Sequence, residues 1–472
     1  HKYFLSAKLG LYWSLFNTAC MGCLRIANYY HHEFTAIYLP NWGAGFQPAA
    51  AAGYKPAPQL GRKIAFSFSL RSPCTIFAIT KENIMKQILP LLLALSPLCT
   101  WAEDTPPNDY TNHLDYETEG YTLTAKNSDN KFLQKMQPSI KFGGYIMGKY
   151  SISDQKHKDT NGGFDLRFIR LYLDGHVYRD FYYKLQMEVN GAPGDNKGPR
   201  VLDAFMEWQK YDCFRVKLGQ FKRSFGFENP MSPLAIGMGS YSQATMKLAS
   251  INDRNGEGSY NKSSGRDLGL QVQGDLLPAS DGHKWVHYQV GVFNGQGINH
   301  TDKNKHKDVI GGMWISPVKN LCIGGFGWNG KYTNEKYNAA DPKSLKDVKR
   351  VRWGAGLKYE SDWTVRGEYM SSYGGVVTDA TAPTHSDAWY ATVGVPIIKG
   401  LKIYGRYDCY RNDKRSWQSL CANYGLSGNY TLGKNLIFQL NYTFTDDRSA
   451  RHAATPKDAH YNTFDVQVTA RF

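Results

Sequence analysis

Leu436-Ile-Phe-Gln-Leu-Asn-Tyr-Thr-Phe-Thr445 alternates at a period of two residues. Leu436, Phe438, Leu440, Tyr442 and Phe444 fall on one face of an extended chain, and Ile437, Gln439, Asn441, Thr443 and Thr445 on the other. Successive side chains of a strand point to opposite sides, so this is the pattern of a sheet with one apolar and one polar face. The same pattern recurs upstream. Val351, Trp353, Ala355, Leu357 and Tyr359 oppose Arg352, Gly354, Gly356, Lys358 and Glu360. Trp363, Val365, Gly367 and Tyr369 oppose Thr364, Arg366, Glu368 and Met370, and Leu401, Ile403, Gly405, Tyr407 and Cys409 oppose Lys402, Tyr404, Arg406, Asp408 and Tyr410.

Sixteen such segments follow one another, starting near residues 138, 163, 181, 200, 213, 265, 284, 306, 320, 347, 363, 385, 400, 417, 434 and 460. An apolar face of this kind meets either a second sheet, as in a sandwich, or hydrocarbon, as in a transmembrane barrel. The even number of strands favours the barrel, and sixteen strands enclose an aqueous channel. The closing segment sets Phe464, Val466, Val468, Ala470 and Phe472 against Asp465, Gln467, Thr469 and Arg471. An amphipathic final strand ending in Phe resembles the signal by which barrel-assembly machinery recognises its clients, which gives Phe472 an expected role in assembly.

The composition agrees. There are 32 Tyr and 46 Gly, as aromatic girdles and short turns require. The mean hydropathy of −0.49 excludes a bundle of membrane helices. The formal charge is +15. Residues 1–102 hold 9 Lys/Arg against 2 Asp/Glu, and the remainder holds 47 against 39. That remainder is too evenly mixed for a nucleic-acid surface, and no nucleic-acid partner is expected.

Residues 85–102, MKQILPLLLALSPLCTWA, form a secretory leader: a basic start at Lys86, an apolar stretch over 88–98 and small residues at Thr100 and Ala102. The apolar stretch is too short to span a bilayer as a helix, which takes about 20 residues. A leader does not follow a folded domain, so residues 1–84 read as translated upstream sequence without structure of its own. Cys20-Met-Gly-Cys23 within them lacks a second pair and is not taken as a metal or redox site. Residues 103–137 are polar, carry Pro106-Pro107 and read as an N-terminal tail with a helical turn around 131–136; the barrel occupies 138–472.

Three stretches then carry a resemblance. Leu218-Gly-Gln-Phe-Lys-Arg-Ser-Phe-Gly-Phe-Glu228, Gly265-Arg-Asp-Leu-Gly-Leu-Gln-Val-Gln-Gly274, and Tyr288-Gln-Val-Gly-Val-Phe-Asn-Gly-Gln-Gly297 with Lys307-Asp308 and Pro317 resemble motifs of the phosphate-selective porin O and P family. The resemblance implies a homotrimer of sixteen-stranded barrels in the bacterial outer membrane. It also implies a long third external loop folded into each lumen, with basic residues of wall and loop holding the anion. The residues alone point to the same loop. Residues 222–264 contain no good strand, and an unstructured stretch of that length is usually functional.

Selectivity in such a channel comes from pore width and rings of charge. Strand phase places Arg170, Lys184, Arg215, Lys217, Arg352, Lys358, Arg366, Lys402 and Arg406 inside, among the acids Asp174, Glu188, Asp203, Glu207, Glu360, Glu368 and Asp408. Arg215, Lys217, Lys222 and Arg223 lead into the long loop and are the expected anion site. The loop itself departs from a strongly basic pattern, with five Lys/Arg against three Asp/Glu. The expected function is passive diffusion of small solutes with moderate anion preference, phosphate-like anions included. The alternatives are a structural or adhesive barrel and a barrel hydrolase built on His176, His287 and Ser264. Gly325-Phe-Gly-Trp-Asn-Gly330 spells a nucleotide-loop pattern but lies on a strand with no helix after it. No enzyme, cofactor or metal is expected; the partners are outer-membrane lipid, the solute and the assembly machinery.

Overall fold

The structure is a computed structural model that describes residues 121–124, 138–156, 161–191, 198–249, 264–333, 339–340, 346–376, 379–451 and 458–472. The leader, the upstream stretch with its Cys pair, and the helical turn expected near 131–136 lie outside these residues.

A four-residue strand, β1 (Tyr121–Thr124), precedes sixteen longer ones. These are β2 (Ser139–Ser153), β3 (Gly162–Tyr178), β4 (Phe181–Glu188), β5 (Arg200–Tyr211), β6 (Phe214–Lys222), β7 (Arg266–Pro278), β8 (Lys284–Phe293) and β9 (Asp308–Ile315). They continue with β10 (Leu321–Thr333), β11 (Asp347–Glu360), β12 (Thr364–Val376), β13 (Asp379–Ile398), β14 (Leu401–Arg411), β15 (Leu420–Leu432), β16 (Leu436–Asp447) and β17 (His460–Arg471). Each pairs antiparallel with the next, and β17 pairs back onto β2 from Thr463↔Ser153 to Arg471↔Tyr145. The sheet is therefore a closed sixteen-stranded barrel. Closure removes the open edges that would leave backbone N–H and C=O groups bare in lipid.

The expected strand starts hold to within a few residues, except that β13 begins at Asp379, in a tight hairpin with β12. β1 falls in the segment read as a polar tail. It pairs with residues 139–142 of β2, on the edge that β17 leaves uncovered. Its shortness left no periodicity to detect.

Burial decides between barrel and sandwich. On β16 the apolar residues are outside: Leu440 is 53% exposed, while Asn441 beside it is 3% exposed. Phe438 and Tyr442 share the outer face, and Gln439 and Thr445 the inner one. Apolar outside and polar inside is the reverse of a water-soluble protein and the arrangement of a lipid-embedded barrel. Short turns such as 399–400 and 433–435 close one rim, and longer connections such as 294–307 and 412–419 close the other. In such barrels the long connections face outward from the cell.

The register shifts at several places, and one shift bears on the charge of the lumen. The β2–β3 ladder shifts register at Met147/Gly148, so Leu166 and Phe168 are partnered while Arg167 between them is the extra residue. A bulge re-aims the side chains beyond it. Phe164 and Leu166 face outward, whereas Phe168 and Arg170 face inward, and Arg167 turns into the lumen.

The lumen also holds a core. Phe225, Phe227, Ala244 and Leu248 of the β6–β7 connection pack against Phe326, Trp328, Met370 and Tyr390 of the wall. Gly237, at φ +79°, lets the chain turn there while the Tyr404 ring lies against it.

Candidate pore and its inner strap

Residues 223–249 of the β6–β7 connection are tied to inward-facing side chains of β11–β15. Glu368 accepts hydrogen bonds from the backbone N–H of Phe227 (2.7 Å) and Glu228 (2.8 Å), and from Tyr390 Oη (2.6 Å). Arg366 donates to the carbonyls of Ala235 and Ile236, both at 2.9 Å. Asn429 donates to Gly237 O (2.7 Å), Arg406 to Ser240 O (2.7 Å), and Arg352 to Leu248 O (2.5 Å). Gln243 donates to Asp408 Oδ1 and Cys421 O, each at 3.0 Å. A loop cannot be buried unless its backbone groups are satisfied, and the wall supplies those partners. On the other side, Leu234 packs against Tyr145, Met147 and Phe168 of β2 and β3. The segment thus spans from one wall toward the other.

The expected cations all reach the interior, but most are engaged. Arg170 pairs with Glu188 (2.8 Å), and Lys184 is buried on the same inner face. Arg215 pairs with Asp275 (2.6 Å) and Lys217 with Glu207 (3.6 Å). Lys222 donates to Met231 O (2.6 Å), and Arg223 faces Asp267 (3.6 Å). Arg366 pairs with Glu360, and Arg406 with Asp408 at 2.8 Å. Arg352 shares the indole of Trp328 with Arg223 and Arg350; the three guanidinium carbons lie 4.6, 4.8 and 4.9 Å from the ring centre. Arg350 has the same phase as Arg352 and was legible on that ground, though it was not among the expected residues.

Arg167 differs from these. Its Nη1 donates to Gln467 Oε1 at 2.8 Å and approaches Met147 Sδ at 3.8 Å, and among the described residues it has no carboxylate partner. Strict alternation from Arg170 puts it on the lipid face, and only the bulge brings it inside. The walls of β15–β17 are largely hydrogen-bonding, with Ser427, Gln439, Asn441, Gln467 and Thr469 facing in, and Asp465 of β17 shares their face and pairs with Lys149 at 3.7 Å.

The residues suggested for hydrolysis are held apart from one another. His176 lies by Ser139 (3.5 Å), Ser264 accepts from Arg200 (2.9 Å), and His287 stacks on Trp314 with Nδ1 2.6 Å from Asp275. The GxGxxG pattern is strand throughout, within β10.

A family model described as "Phosphate-selective porin O and P" matches residues 134–282, which run from just before β2 to just beyond β7. The chain is an outer-membrane porin. Among solved structures, the anion-selective porin from Comamonas acidovorans is similar at 13% identity and a TM-score of 0.52, over 71% of this chain and 100% of that one. OmpF of Salmonella typhi, in complex with daunomycin, is similar at 13% identity and a TM-score of 0.49, over 71% and 98%. At such identity the likeness to the Comamonas acidovorans protein bears on the fold alone. No curated protein matches the sequence. The porin is a diffusion channel, with a polar interior inside an apolar outer surface.

Proposed function

We propose that this porin passes small anions in modest preference to cations, phosphate-like anions among them. Arg167 carries the reading: it is a permanently charged group turned into the lumen, hydrogen-bonded among the described residues only to neutral groups, with the Asp465 carboxylate within electrostatic reach but not in contact. A cation not held in contact with a carboxylate attracts an anion more than an ion-paired one, and low-dielectric walls enlarge the effect. Arg170, Lys184, Arg215, Lys217, Lys222, Arg223, Arg352, Arg366 and Arg406 line the same interior and add to the field, with Arg170, Arg215, Lys217, Arg223, Arg366 and Arg406 reduced by their carboxylate partners. The residues 223–249 narrow the passage as the third external loop. The family match over residues 134–282 agrees with anion passage. Three barrels assemble into a trimer in this reading, and the protein performs no catalysis. Residues 85–102 direct export and leave a mature chain starting near Glu103.

The test is conductance across a planar bilayer in asymmetric salt, where an anion-preferring pore gives a reversal potential of the corresponding sign. A cation preference removes the anion reading and leaves the channel. A second reading, a mainly structural barrel, is favoured by the close strapping of residues 223–249. Channels too narrow to conduct in the same measurement would establish it.

A further inference from the structure

One set of hydrogen bonds runs around the inner wall in a single direction. Arg167 Nη1 donates to Gln467 Oε1 (2.8 Å), and Gln467 Nε2 donates to Gln439 Oε1. Gln439 Nε2 donates to Ser427 Oγ (3.3 Å), Ser427 Oγ to Asn429 Oδ1 (3.3 Å), and Asn429 Nδ2 to Gly237 O (2.7 Å). The chain starts on β3, crosses β17, β16 and β15, and ends on the loop segment. Its direction is not arbitrary. A guanidinium can only donate and a carbonyl can only accept, so the two ends fix which way each amide between them points. Each amide uses one N–H and one lone pair of its oxygen within the chain and retains one of each.

Beneath the loop segment the same wall bounds a cavity of about 680 Å³. Asn429 and Gln439 of the chain line it, together with Thr431, Thr469 and Ser361, and Tyr404 supplies an aromatic surface. The charges nearby are of both signs. Lys402 donates to Thr364 Oγ1 (2.7 Å) with the carboxylates of Glu360 and Asp362 in its field, and Lys399 and Asp362, of opposite sign, sit on the turns at the rim. One step along β16, Asn441 is buried against Gly239, with neither of its polar atoms partnered among the described residues. The volume is in the range of small-molecule sites, roughly 300–1,000 Å³.

We propose that this cavity is a binding station for neutral polyhydroxylated solutes of one or two sugar units. A hydroxyl both donates and accepts, and it is met here by the amides of Asn429 and Gln439, whose orientation is set before the solute arrives, and by the hydroxyls of Thr431, Thr469 and Ser361. Pre-orientation lowers the cost of binding. A fully deprotonated anion cannot donate to the free lone pairs, hydrogen phosphate brings only one or two O–H groups for them, and an apolar solute would strand both kinds of group. The inference rests on the channel reading only for access, not for binding.

The test separates the two. Saturation-transfer NMR on the detergent-folded full barrel, with glucose, sucrose and inorganic phosphate as probes, reads binding without conduction. We expect sugar signals that weaken about tenfold in apparent affinity, a change of about 1.4 kcal/mol, in Gln439→Leu and in Thr431→Val, each checked for heat-modifiable folding. In bilayers, sucrose should reduce the open-channel current of the wild type, and less so in either variant relative to its own sugar-free current. Absence of a sugar signal in the folded wild type overturns the site, as does binding of phosphate but not of sugar. Sugar signals from a barrel that does not conduct would uphold the site and refute the channel reading.

Discussion

The backbone N–H of Phe227 donates to Glu368 Oε2 at 2.7 Å, joining positions 141 residues apart. The neighbouring N–H of Glu228 binds the other oxygen of the same carboxylate at 2.8 Å. One side chain of β12 thus anchors the entry of the inner segment, and Arg366, two residues before it, anchors the middle. A carboxylate meeting backbone N–H groups forms stronger bonds than a neutral acceptor would.

Replacing Glu368 with Ala should therefore loosen the segment without opening the barrel. Two N–H groups and the Tyr390 hydroxyl lose their acceptor, each at about 1–3 kcal/mol where it stays buried. Single-channel recordings should show larger conductance and added current noise, with heat-modifiability retained. Conductance identical to the wild type would mean that the segment is held in place by other contacts.

Selectivity should depend more on Arg167 than on any ion-paired basic residue. Arg167→Gln is expected to move the reversal potential toward cations. Changing Arg215 alone to Gln should instead cost stability, by less than the about 3–5 kcal/mol of a fully buried pair, since Asp275 is half-buried and keeps His287 at 2.6 Å. The comparison is made in asymmetric salt for the first variant and by urea titration for the second. A larger selectivity change from Arg215→Gln would return the filter to the residues 215–223.

At the seam, Phe472 and Gly144 exchange backbone hydrogen bonds in both directions, each at 3.0 Å, and the rings of Phe472 and Phe142 lie 6.4 Å apart. Deleting Phe472 should lower the yield of folded barrel in membranes and leave the conductance of the molecules that do fold unchanged. Folded yield is read as the heat-modifiable band on a gel. A normal yield would remove the role in assembly.

Arg introduced on the outer face should be costly in proportion to depth. Leu440→Arg, near mid-strand on the lipid side, is expected to destabilise by roughly 2–4 kcal/mol. Thr443→Arg, on the opposite phase, should be tolerated and should shift selectivity. Equilibrium unfolding in lipid vesicles checks both; equal costs would contradict the assigned faces.

The strands were legible because lipid and water impose opposite demands on alternate residues, so that Leu440 and Asn441 each state their face in one-letter terms. The inward aim of Arg215 and Arg366 followed from the same rule. Their partners did not. Phase gives a face but not a neighbour, and whether Arg215 meets Asp275 or open water depends on register. Arg167 was not among the expected inner-face residues because one extra residue at the β2–β3 bulge reverses the phase, and no local residue type announces it. The ties of Glu368 and Asn429 to the inner segment were hidden for a third reason: they join parts of the chain more than a hundred residues apart.

The bonding of β17 to β2 over nine residue pairs has a topological consequence. In a ring of antiparallel neighbours no strand is first or last, and the order around the barrel is a cycle. The chain's start and finish are a cut in that cycle, placed between two strands already bonded to each other. A gene that joined β17 to β2 by a short linker and began instead within the 433–435 turn would encode the same circle of neighbours, rotated by two strands.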